Sequence, residues 1–398
     1  MTPKGQAKTR RRRVATAALN PQGNARPAPL STFWPEEVRS RELAFREACE
    51  ALHSQSLYAS GAALVTEGDS LSQLRLLPSH SVSLILTDPP YHATKKANIR
   101  GDTAFAADDE YLEWMAQYFL EWRRVLKLNG SVFCFCDSSM AARLDVLMSR
   151  HFNMLSHVVW TKPNDPGFDG WKGKMKKETL RQWYPHSERI LFAEPALDGS
   201  IFRTTFATLL REARTRCGLT MKEVTGAIGA HGAVNHGGAV SNWEDGRNTP
   251  SREQYEGMVR VFLGTGKISA MPPYEDAIRV FNMDSTKEFT DVWTFPSVRP
   301  YRGKHPAEKP IDLLQHAIQA TTRPGDIVLD CFAGSGNTAI AALQLGRRAI
   351  AIEIESKWAS GITSRVVAEM PSIPLAAFEK PRHATTAPKK RAQRLLFS

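Results

Sequence analysis

The sequence predicts an α/β domain interrupted by a block of helices. Three observations carry this expectation. Short apolar runs alternate with helical stretches over residues 62–193, the alternation stops over 203–265, and it resumes at 327 as strand, glycine turn, helix and strand. Along the chain, residues 35–58 read first as a helix, because "PEEVRSRELAFREACEALHSQSL" repeats apolar residues at intervals of three and four. Apolar runs at 62–66, 82–86, 131–135, 156–160 and 189–193 have the length of buried strands. "DEYLEWMAQYFLEWRRVLKLNG" reads as an amphipathic helix closed by Asn129-Gly130. "FRTTFATLLREARTRCGLTMKEVTGAIG" gives two short helices around Gly218, and "PGDIVLDCFAGSGNTAIAALQLGRRAIAIEIE" restores the α/β rhythm. The predicted organisation is a tail over 1–32, the α/β domain over 33–202 and 266–375, a helical insert over 203–265, and a second tail over 376–398.

The net charge of +11 is carried by the tails. Residues 1–32 hold seven basic and no acidic residues, and 379–398 hold six basic and one acidic. Both tails are rich in Ala, Pro and Thr and are expected to be disordered; their charge suits a solvated extension or a salt-sensitive hold on nucleic acid. No apolar run reaches the roughly 18 residues of a membrane helix, and the basic N-terminus is not followed by a secretory apolar core, so a cytoplasmic protein is expected. The five cysteines are scattered, and Cys134 and Cys136 alternate along a strand, which suits small buried hydrophobes rather than metal ligands.

Two turns carry the chemistry. In "IVLDCFAGSGNTAIAALQLG" a buried strand runs into Asp330, Phe332, Ala333, Gly334, Ser335 and Gly336, and a helix begins near Asn337. Glycines at such a turn let the backbone approach a ligand, and the helix start offers unpaired amides to a carboxylate or phosphate. The next strand ends in Glu353, where an acid suits a ribose diol. The pattern lacks GxGxxG and a P-loop Lys, which points away from NAD and ATP and toward an adenosine with a small charged tail.

The second turn is Asp88-Pro89-Pro90-Tyr91, at the end of "VSLILT". Asp88 and Pro89 each precede a proline and are pushed to extended geometry, and neither proline has an amide hydrogen. The outcome is a stiff loop with free carbonyls, a carboxylate at one end and a ring at the other. That arrangement suits the exocyclic amine of a nucleobase. Asp88 and the Pro89 carbonyl each accept one amine hydrogen while Tyr91 stacks on the base. Two such acceptors localise a lone pair otherwise spread into the ring, and readiness to attack an electrophilic methyl follows without a metal.

At these two motifs the chain resembles the S-adenosylmethionine-dependent amino-group DNA methyltransferases, over most of 60–200 and 270–370. "TDPPY" matches the catalytic tetrad, "LDCFAGSGNT" the cofactor loop, and their order is the family's beta-type order; "EGD", "RVLKLNGSVFCF", "VVWTKPN" and "KHPAEKPIDLLQHAI" are supporting matches. The resemblance implies a Rossmann-like class I methyltransferase sheet, S-adenosyl-L-methionine as cofactor, Asp69 at its adenine, Glu353 at its ribose, Phe332 to Gly336 at its methionine end, and His305 and Lys309 near its pocket. Cys331 stands where proline is usual, and Asn337 where threonine or serine often stands. The Asp in the tetrad favours adenine N6 over cytosine N4, and a catalytically silent DNA-binding regulator stays open beside both. Double-stranded DNA is the implied partner, with a homodimer and a cognate restriction endonuclease as further candidates.

A target inside a duplex must be flipped out, which costs a few kcal/mol. Lys95, Lys96 and Arg100, directly after Tyr91, and Lys172, Lys174, Lys176, Lys177 and Arg181, interleaved with Trp171, Trp183 and Tyr184, are the expected grips on strained DNA. The insert resembles a repressor-type helix-turn-helix, with Trp243 behind a reading helix and Asn242 and Arg247 as contacts; "AHGAVNHGGAVSN" makes its turn longer than usual. Its place in the sequence is that of a target-recognition domain, which implies that it helps choose the sequence methylated.

Overall fold

The computed structural model describes residues 41–92, 105–163, 177–179, 181, 183, 186–196, 204–230, 238–282 and 289–369. Both tails, and the linking segments between these stretches, lie outside the described residues. The strands are β1 (Ser56–Ala59), β2 (Ala63–Glu67), β3 (Val82–Thr87), β4 (Leu126–Cys136), β5 (Phe152–Thr161), β6 (Ser187–Pro195), β7 (Val292–Thr294), β8 (Ile327–Asp330) and β9 (Arg348–Glu353). They form one sheet in the order β1-β2-β9-β8-β3-β4-β6-β5-β7. From β2 through β4 every neighbouring pair is parallel. Beyond β4, β6 runs the opposite way.

Helices cover both faces. On one side lie α1 (Arg41–Ala51), α2 (Ser70–Leu76), α3 (Asp108–Val125) and α4 (Ala141–Met148), packed on Leu64, Ile85, Val132 and Leu329. The insert contributes α5 (Thr205–Cys217), α6 (Met221–Ile228), α7 (Gly238–Glu244) and α8 (Arg252–Gly264), followed by the single turn α9 (Tyr274–Ala277). On the other face α10 (Ile311–Thr321), α11 (Asn337–Gln344) and α12 (Ser356–Glu369) cover Val65, Leu84, Val328 and Ala351. This double cover explains why β3, β8 and β9 are buried at every residue and are largely apolar between their ends. No helix among the described residues is long and apolar enough to cross a membrane.

The five expected strands and the glycine turn are present; three boundaries differ. Within the expected helix 35–58, α1 stops at Ala51 and residues from Ser56 pair as β1 with β2. The expected helix closed by Asn129-Gly130 ends at Val125, because Leu126 is already extended and pairs with Val82. Asn129-Gly130 instead belongs to an irregular stretch of β4, where the register jumps from Leu126 to Ser131. The helical core also runs past 265: Ala277 and Ile278 pack with Phe206, Leu210 and Trp243. The short strand β7 was not anticipated.

The insert has its own apolar core and its own caps. Thr220 with Glu223 and Ser251 with Gln254 form capping boxes, and Gly218 and Gly229 close α5 and α6 in the left-handed region. Its one buried acid, Glu244 at the end of α7, is fully enclosed. It takes Arg214 of α5 in a two-point pair, at 2.5 Å and 2.8 Å. Removing one member leaves the other charge buried and unmatched, so Glu244→Ala is expected to destabilise the insert by about 3–5 kcal/mol. Hydrogen exchange should then quicken across α5–α8 while amides of β3, β8 and β9 keep their protection.

Direction decides where the insert sits. Because β6 runs against β3, its last residue Pro195 emerges at the amino-terminal edge of the parallel strands. There the Thr205 hydroxyl donates to the Pro195 carbonyl at 2.6 Å, and Asn129 at the start of β4 donates to the Glu275 carbonyl at 2.6 Å. Arg279 pairs with Glu194 at 2.7 Å, and Leu128 packs on the insert's core.

Candidate active site

The strand order reverses between β8 and β3, since the chain winds outward from β8 through β9 and from β3 through β4. Ligands of such sheets bind outside the carboxyl ends of the strands at that switch point. Here five acids follow five strand ends: Asp69 after β2, Asp88 after β3, Asp137 after β4, Asp330 in β8 and Glu353 in β9. All five line one cavity of about 530 Å³.

The glycine turn forms one side of the cavity. Gly334 has φ +48° and Gly336 φ +78°, both in the left-handed region. The Gly334 amide donates to Glu353 Oε2 at 2.7 Å and the Glu355 amide to Oε1 at 2.8 Å, so the acid ending β9 ties the turn down. A Cβ at Gly334 would meet His305 Cε1 at 2.9 Å. His305 thus packs on the turn, edge-on to Trp358 at 4.7 Å, and burial followed by the nearby Lys309 charge pushes its pKa down to about 4. Asp330 accepts from the Thr87 hydroxyl at 2.7 Å and the Phe332 amide at 3.1 Å, and burial raises its pKa to about 6. Asp69 caps α2 through the Ser72 amide at 2.8 Å, and Phe332 meets Tyr118 at 4.9 Å and Trp114 at 5.7 Å between centroids. Phe332, Ala333, Gly334 and Ser335 line the cavity with Asp69 and Glu353.

Two residues expected at the cofactor also hold the turn together, and of these Asn337 lines the cavity. A Cβ at Gly336 would lie 2.8 Å from Ile362, so this glycine is needed for close packing of α12. Asn337 spends its amide on the protein: Nδ2 donates to the Lys309 carbonyl at 2.7 Å and to Glu308 at 3.1 Å, and Oδ1 accepts from Arg365 at 2.7 Å. It clamps the segment bearing His305 and Lys309 onto the start of α11.

The proline turn follows the neighbouring strand β3, and Asp88, Pro89, Pro90 and Tyr91 all line the cavity. Lys309, expected beside the cofactor, belongs chemically to this turn. Its ammonium lies 2.5 Å from Asp88 Oδ2 and 3.2 Å from Glu188 Oε2. Glu188 also accepts from Lys162 at 2.5 Å and from the Tyr91 hydroxyl at 3.1 Å. The second oxygen of Asp88, Oδ1, is buried and meets no hydrogen-bond partner at bonding geometry, although the Tyr91 hydroxyl lies close to the same carboxyl. A buried acceptor without a well-placed donor is costly and marks a place built for one. Burial raises the Asp88 pKa, Lys309 opposes this and Glu188 adds to it. Burial would also raise Glu188, but Lys309 and Lys162 outweigh it and bring that acid to about 2.

The sequence reading missed Glu188, Lys162 and the aromatic wall of Trp114 and Tyr118. Lys162 lies in the quoted "VVWTKPN"; Glu188 is an acid just ahead of the apolar run of β6, and only the pairing of Arg189 with Cys136 of the neighbouring β4 puts it beside Tyr91. Of the expected DNA contacts, Lys95, Lys96, Arg100, Lys172, Lys174 and Lys176 lie outside the described residues, as does the Lys177 side chain. Arg181 and Trp183 are exposed. Asn242 and Arg247 are not brought to the cavity: they sit at and just beyond α7, joined by an Arg247 amide to Asn242 carbonyl bond of 2.9 Å. From Glu188 at the cavity to Pro195 at the insert, β6 spans roughly 20 Å.

A family model described as DNA methylase matches residues 82–364, taking in both turns. The chain belongs to this family of amino-methyltransferases. DNA adenine methyltransferase YhdJ of Escherichia coli (strain K12) is 27% identical over 304 residues, covering 76% of this chain and 81% of that protein. Type II methyltransferase M.BglII of Bacillus subtilis is 25% identical over 307 residues, covering 74% and 66%. The solved M1.HpyAVI–SAM complex is 19% identical, covers 76% of this chain and 99% of its own, and superposes with a TM-score of 0.41.

Proposed function

We propose that this protein transfers a methyl group from S-adenosyl-L-methionine to the exocyclic N6 amine of adenine in duplex DNA, in the cytoplasm. The observation that carries the reading is that the proline turn, with the buried Asp88 carboxyl, lines the same cavity as the glycine turn and Glu353. Glu353 and Asp69 suit the hydroxyls and base of an adenosine, and the turn from Phe332 to Ser335 suits its amino-acid tail. When bound, S-adenosyl-L-methionine supplies an electrophilic methyl on a positive sulfur. The chain's own contribution is to hold the amine. Asp88 Oδ1 and the Pro89 carbonyl accept its two hydrogens and Tyr91 stacks on the ring, so the nitrogen lone pair points outward to form the new N–C bond. As that bond forms the methyl–sulfur bond breaks with its electron pair staying on sulfur, and the amine then gives up one proton to the solvent. The name of the YhdJ relative supports adenine.

The test is to incubate the protein with mixed genomic DNA and labelled S-adenosyl-L-methionine, digest to nucleosides, and identify the labelled base. Label in N6-methyladenine is expected. Label in N4-methylcytosine would move the target to cytosine, and no label with DNA still bound would leave a silent DNA-binding regulator.

For the insert we propose, in place of the expected role in choosing the sequence methylated, contact with a second stretch of duplex apart from the flipped base. Its seat at the amino-terminal edge supports this, as do its helix-turn-helix likeness and Asn242 and Arg247. Replacing 204–264 by a short Gly-Ser linker is then expected to leave the base pairs around the methylated base unchanged while slowing methylation of long, dilute DNA. Single-molecule sequencing of the methylated sites checks this, and a changed motif would overturn it.

A further inference from the structure

We propose that Glu188 is a positioning residue for loading the target base: it takes over the Lys309 ammonium when the incoming amine claims Asp88. This deepens the reading above and rests on it. In the structure a nitrogen already stands over the Tyr91 ring on which the target base must stack, held by Asp88 Oδ2 beside the Oδ1 that the amine must reach. The Lys309 ammonium is bonded to Asp88 and lies 5.2 Å from the ring centroids of both Tyr91 and Phe135. An amine arriving at Asp88 therefore competes with a full positive charge.

Glu188 lies within reach of the same ammonium at 3.2 Å, so exchange of partners needs only rotation about the last bonds of the lysine side chain. Glu188 is itself fixed from two further sides, by Lys162 and by the Tyr91 hydroxyl. The group holds two carboxylates and two ammoniums. Its net charge is zero before and after the exchange, and no uncompensated charge is left in a buried site. Burial opposes the charge on Lys309, but Asp88 and Glu188 outweigh it and raise its pKa, so it stays an ammonium throughout.

Glu188→Gln separates this role from simple packing, because the amide oxygen still accepts from Tyr91 while the charge that draws Lys309 is gone. Methyl transfer is expected to slow roughly tenfold or more at the pH plateau, the worth of one hydrogen bond to a charged group. Affinity for S-adenosyl-L-methionine, measured by calorimetry without DNA, should be unchanged. Asp88 is active when ionised, so the rate is lost as pH falls through its pKa. Glu188 raises that pKa and Lys309 lowers it. The acid limb should therefore move to lower pH in Glu188→Gln, although the plateau drops, and to higher pH in Lys309→Met.

In the double variant Lys309→Met with Glu188→Gln, the plateau should be no lower than in Lys309→Met alone, since Glu188 acts through the lysine. An unchanged plateau in Glu188→Gln, or losses that multiply in the double variant, would overturn the proposal. Infrared titration of the protonated Asp88 carboxyl, identified by its loss in Asp88→Asn, gives a readout on protein free of cofactor and DNA. It should follow the same two opposite shifts, and their absence would also count against the exchange. If the unaltered protein labels no DNA, the methyl-transfer reading fails while this titration still reports the coupling.

Discussion

Asp88→Ala is expected to abolish methyl transfer, with a loss on the order of 10³-fold or more, while S-adenosyl-L-methionine still binds. Removal of one fixed hydrogen-bonding group from the reacting atom costs about 10²–10³ in rate. Here the substitution takes away both the acceptor at Oδ1 and the counter-charge of Lys309. Glu353 and the glycine turn belong to β9 and β8, and their hydrogen bonds do not involve the Asp88 carboxylate. Single-turnover labelling measures the first effect and calorimetry the second. Substantial residual turnover would mean that the amine is held by other groups, and loss of cofactor binding would mean that the two turns are not independent.

Glu353→Ala is expected to act on the other half of the site. Its two oxygens accept the Gly334 and Glu355 amides at 2.7 Å and 2.8 Å, so the change both removes an acid from the cavity and leaves two amides without an acceptor. Hydrogen bonds to a charged group are worth about 1.5–3 kcal/mol, which converts to roughly 10- to 100-fold weaker cofactor binding. Glu353→Gln, which keeps one acceptor, should fall between this variant and the unaltered protein. Equal affinities in all three would show that the acid of β9 serves neither the turn nor the ligand.

Much of the site was legible because its two motifs are local. Asp88-Pro89-Pro90-Tyr91 and the run from Asp330 to Gly336 announce themselves by proline stiffness, glycine freedom and an adjoining buried strand. The fold was legible for a related reason: strands covered on both faces must be apolar throughout, as Ile327–Asp330 and Arg348–Glu353 largely are. Glu188 and the partner of Lys309 were hidden because their meaning depends on sheet order. Glu188 reaches Tyr91 only through pairing of β6 with β4, across 97 residues of chain. The clamp made by Asn337 was hidden as well: it lines the cavity at a helix start, as expected, but its bonds to Arg365, Glu308 and the Lys309 carbonyl depend on tertiary packing. The end of α3 was misplaced because Asn129-Gly130 is a turn signal whether it stops a helix or kinks a strand.

The reversed direction of β6 has an engineering meaning. Whatever the chain carries after Pro195 is delivered to the far rim of the sheet, attached by Thr205, Asn129 and Arg279 to surfaces that the cavity does not use. That rim is a socket. A foreign module of comparable span, such as a fluorescent reporter, is expected to seat there without re-aiming Asp88 or loosening the glycine turn, and methylation by such a chimera checks it.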